Sequence, residues 1–211
     1  MNRNFRPGDK IRIKQDCYNV INLAGEGASS TVYLTRNEKD GILYVIKEFN
    51  PKMINVSKNE HGSFDMSEMD KETLSKFNER KKRFVESAKR QVQIRNNYSD
   101  MMNNTFIVNW VEEANNTAYI GMSTFNGVSY DKVEFEEGLQ ELLTYIKAIA
   151  VAVKAYHDNG FLHLDIKPAN IFVLDNSNDF VMLFDFDSVI ARIWITWNSS
   201  SEMQSAEKHT R

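Results

Sequence analysis

Within the eight residues "HLDIKPAN", His163, Asp165, Lys167 and Asn170 stand close together between apolar runs, and Asp185 follows between Phe184 and Phe186. Folding alone does not ask for such charges between strand-like segments. Two carboxylates from separate turns, with an amide oxygen beside them, resemble the donors a hard cation such as Mg²⁺ takes: few protein oxygens, with phosphate oxygens completing the shell. Taken singly, Asp165 reads equally as a turn cap and Asn170 as a strand start. Upstream, Gly25-Glu26-Gly27-Ala28-Ser29-Ser30-Thr31-Val32 joins two strand-like runs. Glycines there let a backbone approach a ligand and expose successive amides to phosphate oxygens, although a plain hairpin turn has the same composition. Lys47, in "YVIKEF", is one strand away and offers a fixed positive charge.

These residues need elements to hold them. Three runs, "YNVINLAG", "STVYLT" and "LYVIKEF", predict antiparallel strands, and "TFIVNWVEEA" and "TAYIGMSTF" around Asn115-Asn116 predict a hairpin, about five strands in all. The polar segment from Asn50 to Asp65 predicts a long, poorly ordered loop. Between Ser67 and Asn97 there is neither Gly nor Pro, and Leu74, Phe77, Phe84, Ala88 and Val92 mark one long amphipathic helix or two. Its "RKKR" run reads as a solvated face. Leu139, Leu142, Leu143, Ile146, Ile149, Ala150, Val153 and Tyr156 predict a buried stripe on a second helix, ended by Asn159-Gly160. Two short strands, "NIFVL" and "FVMLF", follow around the turn "DNSND".

Composition sets limits. The chain has 211 residues, 42% hydrophobic and 26% charged, in the range of an ordinary globular protein. A net charge of -3 gives no broad electrostatic footprint for nucleic acid. "VIARIWITW" is too short to span a bilayer, so no membrane partner is expected. One cysteine, Cys17, and a polar start after Met1 point to a reducing cytoplasm.

In order, the set is a strand and glycine turn, a strand lysine, a long helix, His-X-Asp-X-Lys-Pro-X-X-Asn and Asp-Phe. It resembles a eukaryotic-type protein kinase domain of the serine/threonine kind, from about Tyr18 to Ser188. The resemblance implies an α+β, protein-kinase-like fold: an N-terminal antiparallel five-stranded sheet with one long helix, then a partial, mainly helical C-terminal lobe. It divides the chain into a nucleotide-binding lobe (1–122), a hinge and partial second lobe (123–188) and an atypical tail (189–211). It implies ATP and Mg²⁺ as cofactors and transfer of the γ-phosphate to a protein hydroxyl. Lys47 would hold phosphates, Asp165 would orient the acceptor hydroxyl, and Lys167 would contact the transferred group. Asn170 and Asp185 would ligate Mg²⁺, and Gly25 to Val32 would cover the phosphates. Met122 matches the gatekeeper and Ser123 to Phe125 the hinge, with Val32 and Val45 above the adenine and Phe172 below. His163 would be structural, packed near Phe186.

The departures from the family pattern are specific. Ser30 stands for the third glycine, Leu164 for an arginine that often receives an activation-loop phosphate, and Asp187 for the glycine of Asp-Phe-Gly. The helix glutamate expected to pair with Lys47 is Glu86 by proximity, whereas an ungapped match places Ser87 there. After Ser188 the sequence departs from the family, as in a fragment, a shifted reading frame or a reduced kinase. Two alternatives therefore stand beside the protein kinase: a nucleotide-binding pseudokinase or interaction module, and a small-molecule kinase of the same fold. The chain as given is expected to bind Mg-ATP, to show little transfer by itself and to self-associate.

Overall fold

A computed structural model of the chain describes residues 4–59, 61–97, 106–134, 138–174, 181–185 and 188–191. Its larger sheet comprises β1 (Lys10–Ile13), β2 (Asp16–Glu26), β3 (Ser30–Asn37), β4 (Leu43–Phe49), β5 (Val108–Ala114) and β6 (Thr117–Ser123). The strands lie in the order β1-β2-β3-β4-β6-β5, all antiparallel. Six strands are present where five were expected. The extra one, Lys10-Ile11-Arg12-Ile13, alternates exposed and buried residues over only four positions, too few for a clear period-two signal, and places Ile11 and Ile13 in the core. Asn115 and Asn116 both take left-handed conformations (φ 54° and 60°), which the two-residue turn between β5 and β6 requires.

Helix α1 (Lys71–Asn97) is a single element. Asp70 caps it, accepting hydrogen bonds from the Thr73 amide (2.8 Å) and hydroxyl (2.9 Å). Phe77, Phe84 and Ala88 form its buried stripe and pack on Phe49 and Ile120 of the sheet. The segment before it is not the loosely held loop its polarity suggested. Ile54, Val56 and Phe64 are buried, and Phe64 exchanges hydrogen bonds with the β5–β6 turn through Asn115 O (3.0 Å) and Asn116 Nδ2 (2.8 Å). Lys58 enters the core with them. Its ammonium reaches Glu48 Oε2 at 2.6 Å, both side chains are at most 2% exposed, and the rings of Phe5 and Phe64 lie 4.4 and 5.0 Å from the nitrogen. Burial pushes the Glu48 carboxyl up, while Lys58 and the Tyr33 hydroxyl oppose that shift.

The second part contains β7 (Gly127–Ser129), α2 (Leu139–Asp158), β8 (Phe161–Leu162), β9 (Ile171–Leu174), β10 (Val181–Leu183) and β11 (Ile190–Ala191). Strands β10, β9 and β7 make one small sheet, and β11 pairs with β8. Helix α2 ends at Asn159-Gly160 as expected, with Gly160 at φ 77°. Its buried stripe overlaps the expected one only in part, since Tyr156 is buried and Ile149 and Val153 pack on the core from partly buried positions. Tyr145, Ala148, Ala152 and Tyr156 face the core, whereas Leu139 is 70% exposed and Leu143 and Ile146 are each 50% exposed. The helix is apolar over more than one face, so periodicity could not say which face the core would take.

The two parts share a core. Ile94 near the end of α1, together with Phe106, packs with Ile171, Val173 and Leu183. The Arg90 guanidinium also donates to the Val189 carbonyl. Among the described residues no helix is long and apolar enough to cross a membrane. The turn at 175–180, Phe186, Asp187 and the tail from 192 onward lie outside the described residues.

Removing one partner of a buried ion pair leaves an uncompensated charge, at a cost of roughly 3–5 kcal/mol. Lys58→Met is therefore expected to lower the unfolding free energy in urea by about that amount, and adding Glu48→Gln should restore most of it. A loss below about 1 kcal/mol for Lys58→Met would show that the pair does not form.

Candidate active site

Strand register decides which side chains share a face. Directly opposed residues of an antiparallel pair point to the same side. Lys47 lies opposite Val32 on β3 and Ile120 on β6, and Val45 lies opposite Leu34 and Met122. Val32, Val45, Lys47 and Met122 therefore share one face, the same face whose Ile120 and Met122 pack with α1. Glu48, the next residue along β4, points to the opposite side and into the Lys58 pair.

The glycine turn closes β2 onto β3, with Gly27 N donating to Ser30 O at 2.9 Å. Neither glycine has a positive φ. A Cβ on Gly25 would meet its nearest neighbour at 3.9 Å and one on Gly27 at 3.7 Å. These distances are ordinary contacts, so the fold itself does not require glycine at either position. Gly121 differs, because a Cβ there would run into the Trp110 ring at 2.0 Å. Packing within the chain therefore does not explain glycine at 25 and 27. Partners that the sequence did not reveal tether the turn from behind. Glu26 accepts from Asn4 (2.8 Å) and pairs with Lys52 (2.9 Å), while the amides of Asn50 and Lys52 bond the carbonyls of Ser29 and Ala28. Ser30 is buried.

The run from His163 to Asn170 is stitched by its own side chains. Asn170 Nδ2 donates to Asp165 O (2.9 Å) and Oδ2 (2.8 Å), and Lys167 Nζ reaches the same Oδ2 at 2.8 Å. A short 3-10 turn, Pro168–Asn170, closes the loop, with proline at its first position where no amide is needed. The Lys167 ammonium, with help from Asn170, holds the Asp165 carboxyl below its usual range, so it is ionised at neutral pH. Leu164, 61% exposed, has φ 61°, a strained value for a branched residue and one that turns the chain sharply just before Asp165. His163 is buried against Tyr156, ring centroids 5.5 Å apart, and desolvation pushes its imidazole below the ordinary value. The contact expected with Phe186 lies outside the described residues, as does the substitution at Asp187.

Asp185 joins the two parts. It also has a left-handed backbone (φ 69°), and its Oδ1 lies 2.9 Å from Lys47 Nζ, 138 residues away in the chain. Phe184 N bonds Asn170 O at 3.1 Å, which sets Asp185 beside the Asp165 loop. Asn170 spends its Nδ2 on Asp165, so its amide oxygen remains an acceptor. That oxygen and the Asp185 carboxylate fit the short oxygen donor set of a phosphate-bound Mg²⁺. No cluster of three His, Cys, Asp or Glu side chains suited to a metal occurs among the described residues. Met122 and Ser123 end β6, with the Ser123 amide bonded to Ile107 O (3.0 Å). Phe125 and Phe172 pack below on Phe106, at 5.5 and 5.6 Å between ring centroids.

Glu86 is not beside Lys47. It is 52% exposed and pairs with Lys82 on the outer side of α1. At about 100° per residue it lies about 200° around the helix from Phe84, whose ring faces Lys47 Nζ at 5.6 Å. Ser87 is buried, and its hydroxyl donates to the Phe84 carbonyl (2.8 Å). Sequence reading took Phe84 for ordinary core. The spacing of Glu72, Glu79 and Glu86 at sevens carried the signal, since it puts all three on one outward stripe. Glu86→Ala is accordingly expected to change nucleotide affinity by less than about twofold, as for an exposed pair. A tenfold loss in calorimetry would return Glu86 to the site.

Comparisons with known proteins agree with this geometry. The family profile of the protein kinase domain matches residues 18–205. The serine/threonine-protein kinase ppk34 of Schizosaccharomyces pombe is 26% identical over 183 residues, covering 76% of this chain and 49% of ppk34. The serine/threonine-protein kinase Nek1 of Mus musculus is 29% identical over 176 residues, 80% of this chain and 12% of Nek1. The chain thus spans about half the length of the first relative and far less of the second. A solved structure described as PpkA-294 apo form superposes with a TM-score of 0.68 over 88% of this chain and 62% of its own, at 19% identity, a likeness of fold. With the fold, the paired loops and the family profile in agreement, the chain belongs to the protein kinase domain family.

Proposed function

We propose that the chain binds Mg-ATP between its six-stranded sheet and its second part and transfers the γ-phosphoryl group to a serine or threonine hydroxyl of a protein. The observation that carries this reading is the run of contacts that links Lys47 to Asp185, Asp185 through the Phe184 amide to Asn170, and Asn170 to the Asp165–Lys167 pair. Lys47 supplies positive charge to the phosphates, and the bare backbone of Gly25 and Gly27 lets the turn lie over them. Val32 and Val45 from above and Phe172 from below offer apolar faces to the adenine, and the strand end at Met122 to Phe125 borders its edge. Asn170 and Asp185 would hold Mg²⁺, which when bound neutralises charge on the phosphates.

Asp165 does the work on the acceptor. Its Oδ2 is occupied by Lys167 and Asn170, which leaves Oδ1 to accept the hydroxyl proton. The hydroxyl oxygen forms its bond to the γ-phosphorus, the bond to the β–γ bridging oxygen breaks, and ADP leaves with that electron pair. Lys167 stands beside Asp165, where it can stabilise the transferring group. Serine or threonine as acceptor rests on the Lys167-Pro168 pattern and on the naming of the relatives. A reducing cytoplasm remains the compartment that the lone Cys17 favours.

The expected outcome for Asp165→Asn is unchanged Mg-ADP affinity, with transfer to a generic protein substrate lowered about 10²–10⁴-fold. Equal losses of binding and transfer would make Asp165 structural. Binding without any wild-type transfer would favour a nucleotide-binding module, and transfer confined to small molecules would favour a small-molecule kinase.

A further inference from the structure

A lysine in a largely dry site needs a countercharge and a surface to lie against. Lys47 is 13% exposed at its side chain. Its countercharge comes from the far part of the chain, Asp185, and no glutamate of α1 supplies one. Glu72, Glu79 and Glu86 recur at intervals of seven and pair with Lys76, Arg83 and Lys82 on the outer face. The inward stripe is Phe77, Phe84, Ala88 and Gln91, all buried. Bringing any of the three glutamates inward would need the helix to turn by roughly half a revolution, against the packing of Phe84 on Phe49, whose ring centroids are 5.5 Å apart.

What α1 does present to Lys47 is a ring. The Phe84 centroid lies 5.6 Å from Nζ, within the range at which an aromatic face attracts a cation. We propose that Phe84 is the positioning residue for Lys47, and that the ammonium is parked on Asp185 until phosphates replace that carboxylate. The ring then holds the lysine stem and head in place while its charge partner changes. Loading the site replaces the Asp185 carboxylate at Lys47 by phosphate, and Glu72, Glu79 and Glu86 of α1, paired on the outer face, take no part in that exchange. The proposal rests on the reading of Lys47 as a phosphate ligand.

The test is a double-mutant cycle in the full chain, read as affinity for ADP without metal in the presence of EDTA. Lys47→Met should weaken binding about tenfold or more, as loss of a charge-assisted contact does. Phe84→Leu and Phe84→Met, which keep apolar bulk and lose the ring, should weaken it about three- to tenfold. Phe84→Tyr, which restores the ring, should stay within about twofold of the parent. In the Lys47→Met background the Phe84 changes should have no further effect, whereas a merely structural ring would still matter there. Melting temperatures recorded in parallel identify any variant that fails to fold, and the leucine and methionine forms serve as substitutes for each other. Full affinity in a folded ringless variant, or additive losses in the cycle, overturns the proposal. An inert Lys47→Met would instead overturn the phosphate reading on which it rests.

Discussion

The ion pair from Lys47 to Asp185 joins the two parts of the molecule at their charged residues. Each partner is set by constraints in its own half. Lys47 is fixed by a register that runs unbroken from Ser30–Phe49 through Arg36–Leu43, with β6 on its other side. A slip of one residue would send the lysine to the opposite face, where Glu48 and Lys58 now sit. Asp185 is fixed by a left-handed backbone and by the Phe184 amide on Asn170. The same residue also holds Asp165, so Asn170 places both carboxylates, Asp185 through its backbone carbonyl and Asp165 through its side-chain amide.

The rest of the fold supports that junction. Phe106 lies among Phe125, Phe172 and Phe184, with ring centroids at 5.4 to 5.6 Å, and so packs the core beside the point where Asp185 emerges. On the far side of the sheet, the buried Lys58–Glu48 pair and Phe5 secure the segment from which Asn50 and Lys52 reach the glycine turn. The turn is therefore held from behind while its front is left open.

Short-range chemistry was legible in the sequence. Asn115-Asn116 called for a tight hairpin and Asn159-Gly160 for a helix end. The spacing of Asp165, Lys167 and Asn170 gave a loop whose side chains satisfy one another. Choices between faces were less legible. Helix α2 carries Gln140, Thr144, Lys147, Lys154 and Asp158 on one stripe and is largely apolar over the rest of its surface, and only packing selects Tyr145, Ala148 and Ala152 over Leu139, Leu143 and Ile146. The segment from Asn50 to Asp65 looked like a polar loop because Lys58 reads as a solvent residue until its partner Glu48, itself indistinguishable from an exposed strand position, is known. Glu86 failed for a related reason: nearness in sequence to the expected position ignored the helical phase that carries Phe84 inward and Glu86 out.

The bridge between the two parts is tested most directly by equilibrium denaturation of the nucleotide-free chain, its Lys47→Met and Asp185→Asn forms, and the double variant. If the two side chains act as one unit, the double change departs from the sum of the single changes by about 1 kcal/mol or more. Additivity within about 0.3–0.5 kcal/mol would mean that Lys47 and Asp185 do not meet, and the account of one site built from both parts of the chain would be wrong.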